Sequence, residues 1–271
     1  MKIRTFVAVL ALAVLYWVPL PAASTLMPIE EIKPGMVGIG RTVFEGSELQ
    51  EFKAHILGVL RNVQGPRRDL ILARLEGEPL AKTGVAAGMS GSPVYVDGRL
   101  IGAVSYSIGS FPTEAIAGIT PIAEMKDATR MTRRAVTQQG RINLPITREG
   151  LAAALTAAYG RVAPFAPRSA DIQSIGLPAA AGAQLGAMLR PISTPLIMSG
   201  FEPASADLLS SAFRDAGFTP VVGGGLGQLS PEIRKMTGPL REGDAVGVSL
   251  VGGDLEMGAT GTVTHIDGDR C

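Results

Sequence analysis

The chain has 271 residues, 46% hydrophobic and 18% charged, enough apolar material for one large or two modest cores. Its 25 Lys and Arg balance 24 Asp and Glu, for a net charge of +1, so no basic field recruits nucleic acid and no acidic tail is present. Thirty-four glycines, 19 prolines and 5% aromatics favour short strands, tight turns and an aliphatic core.

The first segment, "MKIRTFVAVLALAVLYWVPLPAAS", places Lys2 and Arg4 ahead of an apolar run, followed by proline and small residues up to Ser24. This is the layout of a secretory signal peptide over residues 1–24, with cleavage near Ser24. The mature chain is then exported, to the periplasm or the extracellular space, with no stable membrane span. An uncleaved segment would instead tether it to the membrane, although the run is short for a span. A lone Cys271 allows no intrachain disulfide.

From residue 25 to about 126 the text alternates like β structure: "MVGIGRTVF", "EFKAHILGVL", "DLILARL", "SPVYVDG" and "RLIGAVSYS". Asp97-Gly98 between apolar runs is a strong hairpin signal, and the whole stretch reads as a small barrel. Residues 127–195 open with a polar stretch carrying Arg130, Arg133 and Arg134, read as a solvated linker, and continue into the small-residue helical runs "REGLAAALTAAYG" and "AAAGAQLGAMLR". Residues 196–240 read as an inserted strand, helix, strand unit, with Pro203 at the helix start and Gly217 past its end. β structure returns over 241–271, where "GTVTHIDGDR" is a strand entering an Asp267-Gly268 turn.

Between residues 84 and 98 stands "GVAAGMSGSPVYVDG". Acyl transfer by a serine needs an exposed hydroxyl, a base to take its proton, and N–H donors facing the developing oxyanion. Gly88 permits a tight backbone that turns the amides of Gly88 and Ser90 into one concavity, and Gly91 is read as clearing space for substrate. The spacing resembles the G-x-S-G-x-P nucleophile loop of chymotrypsin-like serine peptidases, with Ser90 as nucleophile. A Gly-Ser turn that only caps a hairpin is the competing structural reading. The α/β-hydrolase nucleophile elbow does not fit, because Ser92 takes the place of its second glycine and a hairpin follows.

Asp69 begins the strand "DLILARL", and a similar Asp-Leu-Ala-Leu-Leu-like strand carries the triad aspartate in HtrA-like peptidases. The resemblance implies Asp69 as the orienter of a catalytic histidine, while its ordinary reading is a strand-entry aspartate beside Arg67 and Arg68. The chain has two histidines. His55 gives the order His55, Asp69, Ser90 and is an alternative base, but it sits mid-strand; His265, ahead of a turn, reads as a surface strand residue.

Together, "IKPGMVGIGRTVFEG", "AHILGVLRNVQGPRRDLILARL", "KTGVAAGMSGSPVYVDGRLIGAVSYS", "AIAGITPIAEM" and "GVSLVGGDLEMGATGTVTHIDGDR" resemble the SpoIVB peptidase family of exported bacterial serine peptidases. The resemblance implies an α+β, mainly β fold of permuted chymotrypsin-like β-barrel halves with an inserted α/β unit. Residues 25–126 would be the serine-bearing half, and 241–271 the start of the second. It also implies a catalytic histidine in a Phe-Gly-His-Pro-like loop after the Asp267-Gly268 turn. On that expectation this chain is an N-terminal fragment, inactive because the histidine lies beyond Cys271.

No cofactor and no metal site is expected: "GGGLGQLS" lacks the Lys and Ser or Thr of a phosphate loop, and the two histidines and one cysteine lack ligand spacing. Glu30-Glu31 suits solvent rather than acid–base chemistry. The expected partner is a protein or peptide substrate, with no nucleic acid; nothing in the sequence speaks to oligomeric state. The competing function is a non-catalytic envelope peptide-binding module that uses the same Gly-Ser loop.

Overall fold

Alternation of apolar and small residues over 37–121 builds six antiparallel strands: β1 Val37–Thr42, β2 Gln50–Arg61, β3 Leu70–Glu76, β4 Pro93–Val96, β5 Arg99–Ile108 and β6 Ile116–Pro121. They hydrogen-bond in the order β1, β4, β5, β6, β3, β2, and β2 pairs back to β1, closing a barrel. These belong to a computed structural model, which describes residues 25–130 except 64 and 109–113, residues 173–223 except 216, and residues 238–271 except 269, with isolated positions between 147 and 153. The signal-like residues 1–24, Arg133 and Arg134, most of "REGLAAALTAAYG" and most of "GGGLGQLS" lie outside the described residues.

Inward positions fill the barrel with Phe52, Ala54, Ile56, Ile71, Ala73, Val94, Val96, Ile101, Val104, Ala117 and Ile119, all buried. So small a ring needs glycine where a large side chain leans across it: a Cβ on Gly40 would stand 2.1 Å from the Phe52 ring. Asp97 and Gly98 both take positive φ, 50° and 73°, which turns β4 into β5 as a two-residue hairpin. A four-residue helix, α1 Leu80–Thr83, precedes the Gly-Ser loop, and α2 Ile122–Arg130 follows β6.

A second cluster, Leu60, Val63, Leu70, Leu72 and Leu189, lies on a separate face of the β2 and β3 wall. It is covered by β7 Gln173–Ile175, which pairs with β2, by α3 Ala179–Met188, and by β8 Leu189–Pro191, which pairs with β5. The small-residue composition of α3 has a packing cause: Gly182 and Gly186 are buried one turn apart, and a Cβ on Gly182 would come within 2.4 Å of the Ser174 Cβ.

The remaining strands form one mixed sheet in the order β10, β9, β12, β11: β9 Thr194–Ser199, β10 Phe218–Val222, β11 Ala245–Val251 and β12 Glu256–Thr262. β9 and β10 are parallel, joined by α4 Pro203–Asp215 as a crossover. The helix starts at Pro203, with the Ala204 N–H bonded to Glu202 Oε2 at 3.1 Å, and ends before Gly217 at φ 87°. Its inner stripe, Ala206, Ser210 and Phe213, is buried, and Phe213 meets Phe218 edge-on at 6.0 Å. β12 pairs antiparallel with β9. Strands expected to open a second barrel half therefore share a sheet with those of the expected insertion.

The fold is mainly β with a closed six-stranded antiparallel barrel, as the chymotrypsin-like reading expects. No helix among the described residues is long and apolar enough to cross a membrane.

Candidate active site around Ser90

The loop between α1 and β4 is held by its own backbone. Met89 N–H donates to Ala86 O at 3.2 Å, Ser92 N–H to Met89 O at 3.0 Å, and Gly91 N–H to Val104 O at 2.9 Å. The Met89 side chain is buried and anchors the loop in the barrel core. Gly88 and Gly91 take φ of 96° and 92°, a conformation open to glycine and costly for other residues. The amides of Gly88 and Ser90 are left without an acceptor among the described residues, as are those of Val85, Ala86 and Ala87 ahead of them. Those of Gly88 and Ser90 are the two donors assigned to an oxyanion hole from the sequence, and Ser90 itself is half-buried.

The second sheet closes over this loop. Thr262 N–H donates to Ser90 O at 3.1 Å, Thr262 Oγ1 to Gly88 O at 3.0 Å, and Thr264 Oγ1 to Gly91 O at 2.7 Å. A Cβ on Gly91 would lie 2.3 Å from Thr262 O. Gly91 is thus required by the approach of another backbone, where the sequence suggested room for substrate. Beside it, Ser92 is fully buried and its Oγ has no partner.

Alternate residues Thr262 and Thr264 reach the Ser90 loop, and His265 reaches a different cluster. Its Nδ1 stands 2.6 Å from Glu242 Oε1, while the other oxygen of Glu242 accepts from the Tyr95 hydroxyl. Burial opposes ionisation of Glu242, but hydrogen bonds from Tyr95, His265 and the Ile266 N–H outweigh it and hold the carboxyl below the ordinary range. The same burial, with the carboxylate beside it, pushes the Tyr95 phenol upward. Arg41 lies over the Tyr95 ring at 5.3 Å. His265 is therefore a partly buried joint between sheets, which its position ahead of a turn did not reveal.

Asp69 is buried at the start of β3, and both its carboxylate oxygens are engaged: Arg61 Nη1 at 2.6 Å and the Asn62 N–H at 2.9 Å. Its own N–H donates to Glu124 Oε1 at 2.6 Å, a carboxyl that burial raises above the ordinary range. β3 and β4 stand three antiparallel steps apart around the barrel and run in opposite directions, so the residues just ahead of them, Asp69 and Ser90, lie towards opposite rims. His55 faces Arg74 across the β2–β3 ladder, five residues along β3 from Asp69, or about 16 Å at ~3.3 Å per residue. Its ring bonds Glu76 at 2.7 Å. The structure brings Gly88 and Ser90 together, and leaves Asp69 and His55 apart from them and from each other.

No group of three or more His, Cys, Asp or Glu able to hold a metal occurs among the described residues. Comparison with curated proteins and with solved structures found no match. The family model described as SpoIVB peptidase S55 matches residues 21–119, a span that contains the whole Ser90 loop and all but the last two residues of the barrel. Over residues 21–119 the chain is similar to the SpoIVB peptidase S55 family, and this match supports the resemblance read from the sequence.

Proposed function

We propose that the protein is an exported serine endopeptidase of SpoIVB type, with Ser90 as nucleophile and the Gly88 and Ser90 amides as oxyanion hole. One observation carries this reading: in a family-matched segment, the two amides flanking Met89 are unpaired while the carbonyls of Gly88 and Ser90 are both tied down by Thr262. In the reaction, Ser90 Oγ bonds to the scissile carbonyl carbon as its proton passes to a base, and the carbonyl oxygen becomes an oxyanion between the two amides. The C–N bond then breaks, the leaving amine takes the proton from the base, and water cleaves the acyl ester to restore Ser90.

The base in this proposal is the histidine that the resemblance implies after the Asp267-Gly268 turn. Asp267 and Arg270 exchange backbone hydrogen bonds of 2.9 and 3.3 Å, so the chain reverses there, back along the segment that touches the Ser90 loop. Asp69, engaged by Arg61, serves the barrel rim in this account. Residues 1–24 are proposed as the signal peptide, and residues 25–126 as the serine-bearing unit of a permuted chymotrypsin-like enzyme with its insertion at 196–240.

The test is hydrolysis of an unfolded protein substrate by a chain that includes the implied histidine loop. Ser90→Ala is expected to lower kcat by at least ~1,000-fold with the substrate still bound. A non-catalytic peptide-binding module is the second reading, favoured by the pairing of both histidines with glutamates. It predicts peptide binding without turnover, unaffected by Ser90→Ala.

A further inference from the structure

The nucleophile loop is flanked by glycines with positive φ, and peptide planes next to glycine rotate at little cost. An oxyanion hole made of such amides works only if those planes are fixed before the substrate arrives. Four consecutive planes between Gly88 and Ser92 are fixed here, in two different ways. The plane after Met89, which carries the Ser90 N–H, and the N–H sides of the three others are tied within the barrel, by Ser92 N–H to Met89 O, Met89 N–H to Ala86 O and Gly91 N–H to Val104 O. The carbonyl sides of the planes after Gly88, Ser90 and Gly91 are tied by Thr262 and Thr264, more than 170 residues away in the chain.

The barrel alone therefore supplies half of the restraints, and the second sheet supplies the other half through one short segment. Gly91 is built for that contact, since its missing Cβ is what admits the Thr262 carbonyl at van der Waals range. A Cβ on Gly88 would be 3.9 Å from Pro195 Cγ on β9, so the same sheet also flanks the other end of the loop.

We propose that Thr262 is a positioning residue for the oxyanion hole: by holding Gly88 O and Ser90 O from the second sheet, it fixes the two peptide planes on either side of the one that carries the Ser90 N–H, and so keeps that amide facing the substrate carbonyl. The inference rests on the reading of Ser90 as nucleophile. It makes the competence of Ser90 depend on docking of β12, so the mixed sheet acts as a part of the catalytic unit that touches no substrate.

The experiment compares wild type, Thr262→Val, Thr262→Ser and Ser90→Ala in the complete protein, by two readouts. The first is the rate of Ser90 phosphonylation by a fluorophosphonate, located by peptide mass spectrometry. The second is amide hydrogen exchange across residues 86–92, with β5 and β6 as internal control. Thr262→Val keeps shape and backbone N–H but loses the hydroxyl donor, and is expected to slow phosphonylation about tenfold, a change of one modest hydrogen bond. It should also speed exchange in the loop and leave β5 and β6 unchanged, while Thr262→Ser stays within about threefold of wild type by both readouts. Wild-type phosphonylation and exchange in Thr262→Val would overturn the positioning role while leaving Ser90 as nucleophile intact. Absence of any Ser90 adduct in wild type would instead overturn the nucleophile reading, and the catalytic role of Thr262 with it.

Discussion

Gly91→Ala tests the contact between the two sheets most sharply, because a matched control exists. The substitution adds a Cβ 2.3 Å from Thr262 O and 3.3 Å from Thr262 C, both backbone atoms that no side-chain rotation can move aside. It also places alanine at φ 92°, which costs about 1–2 kcal/mol. Moving Thr262 away would give up the hydrogen bonds to Ser90 O and Gly88 O, and strain that from Thr264 to Gly91 O, at about 1 kcal/mol each. The expected total is about 3–5 kcal/mol. Gly98→Ala provides the reference: its φ is 73°, but nothing lies within 4 Å of the added Cβ, so it should cost about 1 kcal/mol. Urea denaturation of both variants against wild type gives the two losses directly. Equal losses would show that the Thr262 backbone does not press on Gly91, and would refute the argument.

Asp69→Asn weakens the bond to Arg61 and should cost about 2 kcal/mol in urea denaturation, with the rate of Ser90 phosphonylation unchanged; a stable variant with a large loss of reactivity would restore Asp69 as histidine orienter. Because hydrogen bonds depress the Glu242 carboxyl in the folded protein, its contribution is present above the unfolded value, near pH ~4.3, and is lost as pH falls through the lower folded value. Wild type should therefore lose stability below pH ~4 more steeply than Glu242→Gln, and parallel acid titrations of the two would contradict this. Ser92→Ala removes a buried hydroxyl that has no partner, so it should be neutral or raise stability by up to about 1 kcal/mol; a loss above ~1 kcal/mol by calorimetry would mean that the hydroxyl is bonded after all.

What could be read from the chain was local. Period-two alternation marked "DLILARL" and "RLIGAVSYS" as strands because one face of each had to be apolar, and Asp97-Gly98 marked the hairpin because both residues must take positive φ. Pro203 and Gly217 bracketed α4 for equally local reasons. The tight loop around Ser90 was legible because Gly88 and Gly91 both take positive φ there. Long-range pairing was not. Nothing in "GTVTHIDGDR" says that its alternate threonines meet carbonyls of residues 88 and 91, because a hydroxyl on a strand face looks the same whether it meets water or a distant backbone. The same blindness gave Gly91 to the substrate, when the Thr262 carbonyl occupies that space. Asp69 matched a triad pattern by its place ahead of a strand, but the pattern does not encode that Arg61, at the end of β2, comes alongside when the ladder forms. Such aspartates are told apart only by what the neighbouring strand presents.

The proposed function stands on Ser90 as an activated nucleophile in a preformed cradle. Treatment of the protein, extended through the implied histidine loop, with a fluorophosphonate and mapping of the adduct by peptide mass spectrometry tests it most directly. One adduct is expected, on Ser90, and it is lost in Ser90→Ala. A protein that stays unlabelled, or carries an adduct that survives Ser90→Ala, would contradict it.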